Sequence, residues 1–257
     1  RMPASCAAAP PAAAAPAAAS VSQSANPAGG ETWSCDRLLK EVQQVYPKQV
    51  GAPEGLHATL RPYQQAGVDW LAFLRRFGLH GILCDDMGLG KTLQALCVLA
   101  SSAHERRLEA EEAKRQGRAP PPPLPSLVVC PPTLTAHWAA EALKYCGAEQ
   151  LRAIEYVGTA AQRAKLRPQL AQHELVLCSY ETLRSDAASL AALRWDYCIL
   201  DEGHAIRNPK AKVSLACKQL HASRVYHSCT PFWTYPSNQV KRQLTLRELC
   251  GSTCDDR

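Results

Sequence analysis

The sequence predicts an α/β domain built as a doubly wound parallel sheet, and three observations predict it. Short apolar runs alternate with helix-like stretches from about Leu60 onward. One run leads into the glycine-bearing turn Gly88, Leu89, Gly90, and another ends on the acidic pair Asp201 and Glu202. Strands alternating with helices imply right-handed crossovers, and hence a parallel sheet covered on both faces. A domain of about 170 residues buries most of its apolar surface.

The elements follow in order. Leu60, Val68, Leu71 and Leu74, with Trp70 and Phe73 beside them, suit helices with one buried face. Residues 82–84 form a strand and 93–100 a helix; 127–130 and 135–145 repeat the pair, as do 154–157 and 160–170. Strands at 175–178, 197–200 and 224–227 continue the series. The domain runs over residues 59–231, preceded by a linker at 31–58. Residues 1–30 are mostly Ala, Pro, Ser and Gly, too poor in large apolar groups to offset their ordering entropy, and are expected to be disordered. The chain begins at Arg1, as a fragment does. Residues 232–257 form a divergent tail with no helix or strand rhythm.

Residues 101–126 read as a charged and proline-rich insertion. Residues 105–118 carry both charge signs and suit an exposed helix; 119–125 are nearly all proline and suit a stiff connector. Arg106, Arg107, Lys114, Arg115 and Arg118 are candidates to touch nucleic acid. Glu105, Glu109, Glu111 and Glu112 offset them, which favours a solvated face.

Composition narrows the function classes. No apolar run reaches the ~18–20 residues that span a bilayer, and no basic region with an apolar core opens the chain as a signal peptide does. Of twelve cysteines, Cys84, Cys130, Cys178 and Cys198 each sit in an apolar run, where the side chain acts as a small buried hydrophobe. No pair has C-x-x-C spacing, and Cys250 with Cys254 lacks a second pair, so neither a zinc site nor a disulfide scaffold is expected. A reducing compartment follows. The net charge of +6 permits a polyanionic partner without requiring one.

Chemistry concentrates after two strands. Residues 82–92 run from a buried strand through Asp85, Asp86, Met87, Gly88, Leu89 and Gly90 into a helix opening at Lys91 or Thr92. Phosphate binding needs this order, because backbone N–H groups and the helix dipole then face the anion. Gly88 and Gly90 let the backbone approach without a Cβ in the way. Lys91 places a point charge on the β- and γ-phosphates, and the Thr92 hydroxyl can ligate Mg²⁺. The general phosphate-loop pattern has glycine where this chain has Asp85, which counts against a plain kinase or GTPase, as does the lack of an Asn-Lys-x-Asp guanine reader. Asp201, Glu202, Gly203 and His204 follow the strand at 197–200. In an open parallel sheet, ligands bind beyond the carboxyl ends of strands, where both motifs lie. Asp201 can hold Mg²⁺ through water, and Glu202 can orient or deprotonate an attacking water.

These residues carry a specific resemblance. Asp85 through Thr92 is similar to motif I of the SWI/SNF-type branch of helicase superfamily two, and Asp201 through His204 resembles its DExH-type motif II. The resemblance implies a RecA-like P-loop NTPase lobe, the first of two, acting as a DNA-dependent ATP hydrolase with ATP and Mg²⁺. Leu60 through Gln64 resembles the upstream glutamine motif, implying that Gln64 reads the adenine edge. Residues 130–135 resemble motif Ia, implying DNA phosphate contacts at Pro132, Thr133 and Thr135; Cys178, Ser179 and Tyr180 resemble motif Ib, implying contacts at Ser179 and Tyr180. Ser228, Cys229, Thr230 and Pro231 fall where the family has Ser-Gly-Thr-Pro, so Ser228 and Thr230, with His204, are expected to couple nucleotide to DNA. Cys229 stands where the turn usually has an unhindered glycine.

Within the family, the stretches at 79–86, 125–135 and 197–203 resemble the branch that uses ATP to strip TATA-binding protein from double-stranded DNA, which implies work in the nucleus. Arginines from a second lobe complete the family's ATP site, and no second lobe fits after Pro231. Such an arginine contributes roughly 10³–10⁵ in rate. The chain alone is thus expected to bind Mg-ATP weakly and hydrolyse it near background. A truncated, non-catalytic ATP- or DNA-binding module stands as the alternative.

Overall fold

The computed structural model describes residues 56–76 and 79–228. The expectations for residues 1–30 and 232–257, for most of the linker, and for Cys229 and Thr230 lie outside the described residues.

The described chain forms six parallel strands with helices on both faces. Helix α1 (Pro62–Arg76) opens on proline, whose missing N–H costs nothing in a first turn. It buries Gln64, Val68, Leu71 and Leu74 along one stripe. Strand β1 (Gly81–Leu83) leads through the glycine loop into α2 (Lys91–Arg115). Then come β2 (Ser126–Cys130), α3 (Thr135–Gln150), β3 (Ala153–Glu155), α4 (Ala160–Leu166) and β4 (Leu175–Ser179). The short helices α5 (Tyr180–Ser185) and α6 (Ala187–Ala191) precede β5 (Arg194–Leu200), and α7 (Lys212–Lys218) precedes β6 (His221–Ser228).

The strand order is β1-β6-β5-β2-β4-β3. The expected doubly wound sheet is therefore present, with all six expected strands in it. Alternation along the strands builds two cores. Val128, Cys130, Leu175, Leu177, Tyr197 and Ile199 face one side with Leu71, Leu96 and Trp138. Leu127, Val129, Val176, Cys178, Cys198 and Leu200 face the other with Leu183, Leu190 and Trp195. Because both faces are covered, β2 and β4 read as unbroken apolar runs rather than alternating ones.

Four sequence expectations need correction. The helix after the glycine loop does not stop near Ala100: α2 runs unbroken for 25 residues. The charged half of the supposed insertion is its second half, kept on the body because Ser102 and Ala113 are buried. Arg106 faces Asp196, and Arg107 donates to the backbone and side-chain oxygens of Gln150, so neither lies on a free solvated face. The helix ends where Gly117 turns left-handed, with Arg118 N–H bonded to Ala113 O and Gly117 N–H to Lys114 O. The helix expected over 160–170 gives way at Arg167 to a 3₁₀ turn, where Pro168 cannot continue the α ladder. Cys84 is exposed, whereas Cys130, Cys178 and Cys198 are buried. No described helix is long and apolar enough to cross a membrane.

Candidate functional site

The phosphate-loop residues gather at the carboxyl end of β1. Gly88 and Gly90 both take the left-handed conformation, with φ of 80° and 79°. A Cβ on Gly88 would meet open space, and one on Gly90 would strike the Gln64 amide. Asp86, Met87 and Gly88 are exposed, while Leu89, Gly90, Lys91 and Thr92 are half-buried. Lys91 Nζ donates to the carbonyls of Asp85 (2.7 Å) and Asp86 (2.9 Å), so the ammonium already sits inside the loop.

Two glutamines brace the loop. Gln64 accepts from Arg61 N–H through Oε1 (2.9 Å) and donates from Nε2 to Leu89 O (3.1 Å). Gln94, fully buried on α2, donates to Asp85 Oδ2 at 3.0 Å. That bond gives Asp85 a use at the position where other phosphate loops carry glycine. The role of Gln94 is a feature that sequence reasoning missed.

The acidic motif lies at the carboxyl end of β5, with β6 between it and β1. The register pairs Leu83 with Ser228, and Leu200 with His227, so the three strand ends are level. Asp201 is buried, its N–H bonds to Val129 O (2.9 Å), and three further bonds fix it. Trp138 Nε1 donates to Oδ2 (2.9 Å), Glu202 N–H to Oδ1 (3.1 Å), and Tyr180 hydroxyl to the backbone carbonyl (2.7 Å). Lys91, Trp138, Ile199 and Ser228 line one small cleft. Lys91 and Asp201 thus lie at the same carboxyl edge of the sheet, and Trp138 both lines the cleft beside Lys91 and bonds to Asp201.

Glu202 is the single non-glycine residue with positive φ among the described residues, at 52°. A left-handed residue with a Cβ costs about 1–2 kcal/mol, and such strain concentrates at functional sites. Its carboxylate lies 3.2 Å from His204 Nδ1, a pair that attracts when the imidazole is protonated. Under the motif, burial pushes His227 down to about 4, with His80 adding to the effect, so the ring is neutral at physiological pH.

The residues expected on the DNA side divide. Pro132 and Thr133 are exposed on the 3₁₀ turn Pro132–Leu134, which runs straight into α3. Thr135 is buried and its hydroxyl donates to Pro132 O. Ser179 is buried and caps α5 through Thr182 N–H. Tyr180 is buried with its hydroxyl on Asp201, and burial pushes that hydroxyl far above its ordinary range, keeping it a donor. The side chains of Thr135, Ser179 and Tyr180 therefore face the protein.

A six-stranded parallel sheet with a glycine loop after one strand and an acidic pair after another defines a P-loop type α/β lobe. Residues 63–238 match the model of the SNF2-related domain, and the chain belongs to that family. It is 51% identical over 180 residues to human TATA-binding protein-associated factor 172, covering 70% of this chain and 10% of that protein. It is 50% identical over 194 residues to TATA-binding protein-associated factor mot1 of Aspergillus fumigatus, covering 75% of this chain and 10% of that one. The chain thus spans about a tenth of the length of these relatives. Among solved structures it resembles the Sulfolobus solfataricus SWI2/SNF2 ATPase core in complex with dsDNA, with a TM-score of 0.60 and 29% identity, over 79% of this chain and 38% of that one.

Proposed function

We propose that residues 59–231 form the ATP-binding lobe of a DNA-dependent ATPase of SWI/SNF type, acting in the nucleus on DNA-bound TATA-binding protein. The observation that carries this reading is the placement of Lys91 and Asp201 at the same carboxyl edge of the sheet, with Trp138 lining the cleft beside Lys91 and bonded to Asp201. The donor set fits a magnesium nucleotide: an ammonium, a hydroxyl, two carboxylates and a glycine loop with open space over Gly88.

In this reading the backbone of Asp86, Met87, Gly88, Leu89 and Gly90 cradles phosphate oxygens, helped by the N-terminus of α2. Lys91 exchanges its two carbonyl partners for phosphate oxygens. Gln64 holds the loop and stands beside the adenine position. Thr92 and, through water, Asp201 would hold Mg²⁺, which would supply a Lewis acid for phosphoryl transfer. Glu202 orients and deprotonates the attacking water. His204, against Glu202, relays the state of that carboxylate, and Ser228 and Thr230 carry it toward DNA. Pro132 and Thr133 meet the DNA backbone.

The relatives' names support TATA-binding protein as the protein acted upon, and the archaeal neighbour supports double-stranded DNA as the track. Matching 38% of the archaeal core, the 257 residues assayed by themselves are expected to turn ATP over slowly, since arginines of a second lobe complete the site in the resembled family.

The test is equilibrium binding of a fluorescent ATP analogue to the purified chain. Mg²⁺-dependent binding that is lost in Lys91→Ala is expected. Binding that survives Lys91→Ala, or needs no metal, overturns the reading. Strong DNA-stimulated hydrolysis abolished by Glu202→Gln would overturn the slow-turnover expectation alone.

A further inference from the structure

Two aromatic side chains converge on Asp201 from different elements. Trp138 lies on α3, one turn beyond the exposed Pro132 and Thr133. Tyr180 opens α5, directly after β4. Trp138 is 1% exposed and Tyr180 5%, so neither reaches solvent. One donates to the Asp201 carboxylate at 2.9 Å, the other to its carbonyl at 2.7 Å. We infer that Trp138 and Tyr180 are positioning residues that clamp Asp201 for a Mg²⁺ site, and that the Tyr180 hydroxyl takes no part in holding DNA.

The physical case begins with the carboxylate. A free Asp side chain rotates, and either oxygen can meet a metal-bound water. The indole N–H occupies Oδ2 and fixes the rotamer, while the Tyr180 hydroxyl fixes the backbone from which the side chain springs. Each oxygen accepts one bond, Oδ2 from the indole and Oδ1 from Glu202 N–H, and each keeps a lone pair for a water of the hydrated ion. Residues that bond and orient the groups around a metal tune its affinity, and Trp138 and Tyr180 would act through a carboxylate that meets the ion through water. The same geometry ties each clamp residue to a segment resembling a DNA-contacting motif: α3 follows Pro132 and Thr133 without a break, and Tyr180 follows Ser179.

This inference rests on the reading of Asp201 as part of a Mg²⁺ site, and the test separates the two. Wild-type chain, Trp138→Phe and Tyr180→Phe are titrated with MgCl₂ at fixed N-methylanthraniloyl ATP, with anisotropy as the readout, and separately with fluorescein-labelled double-stranded DNA. Each variant is expected to raise the half-saturating Mg²⁺ concentration about 3-fold or more, less than the ~10-fold typical of a residue that bonds a direct ligand, with DNA affinity unchanged. Mg²⁺ dependence equal to wild type in both variants overturns the clamp, as does loss of DNA affinity in Tyr180→Phe with Mg²⁺ dependence intact. Circular dichroism melting accompanies each variant. If Trp138→Phe does not fold, Tyr180→Phe, which loses one hydroxyl, decides alone. Absence of Mg²⁺-dependent nucleotide binding in the wild type sinks the nucleotide reading and the clamp together, whereas wild-type binding with unaltered variants sinks only the clamp.

Discussion

Gln64 reaches from α1 to donate its side-chain amide to Leu89 O at 3.1 Å, tying the first helix to the glycine loop. The other end of the amide accepts from Arg61 N–H. In this geometry Gln64 serves the loop backbone before any base is present.

Gln64→Ala is accordingly expected to weaken ATP and GTP binding alike, and to lower stability by about 1 kcal/mol for the lost bond. A residue that only reads adenine would weaken ATP alone. Parallel titrations with both nucleotide analogues decide.

Gly88→Ala and Gly90→Ala should differ. Both positions are left-handed, so each substitution carries about 1–2 kcal/mol of backbone strain. At Gly90 the new methyl also displaces the Gln64 amide, while at Gly88 it meets nothing. Nucleotide affinity should therefore fall further in Gly90→Ala, and equal losses would show that the Gln64 contact is immaterial.

Acid should destabilise the lobe partly through Asp186. The bond from Arg163 holds its carboxyl well below the usual carboxylate range, with Tyr156 and Arg167 helping. A depressed folded-state pKa contributes stability above the unfolded value, about 4, and loses it as pH falls, because the unfolded chain takes up a proton that the folded chain refuses. Asp186→Asn should cost about 3 kcal/mol at pH 7 and show a smaller drop in melting temperature between pH 5 and pH 3 than wild type. Parallel melting curves for the two proteins would contradict this assignment.

Thiol chemistry should follow burial. Burial pushes Cys97 and Cys130 up to about 12, and Cys146 up to about 11. Iodoacetamide near pH 8 should therefore modify exposed Cys84 while sparing these three, as read by peptide mass spectrometry. Because Cys84 immediately precedes Asp85 of the loop, Mg-ATP should slow its modification. Rapid labelling of Cys130 in folded protein would contradict the burial described.

Much of this was legible in the sequence for identifiable reasons. Strands buried on both faces leave unbroken apolar runs, so β2 and β4 could hardly be missed. The ends of β1 and β5 announce themselves because phosphate and metal chemistry restricts the residue types there. Charge density hid the continuity of α2: Glu105 through Arg115 looks solvated until Asp196 and Gln150 supply partners from far along the chain. The helices α5, α6 and α7 are five to seven residues long, too short to show a helical period. The side chain of Tyr180 was hard to place for another reason. Its neighbours suggest a nucleic-acid contact, but which way a ring points at a strand end depends on what packs there, and the partner was a backbone carbonyl. Cys84 misled in the same way, since residues alternate sides along even a three-residue strand.

The position of β6 governs the order in which the molecule can be made. Strand β1 pairs only with β6 among the described strands, and Val225 N–H bonds to His80 Nδ1 across 145 residues of chain. During synthesis the segment that leads into Lys91 emerges early, yet it has no edge to join until nearly the whole lobe has left the ribosome. Pairings between such distant segments are slow to form. The nucleotide loop is consequently among the last parts to mature, and a chain interrupted before Tyr226 would assemble β2 through β5 around a first strand with nowhere to dock.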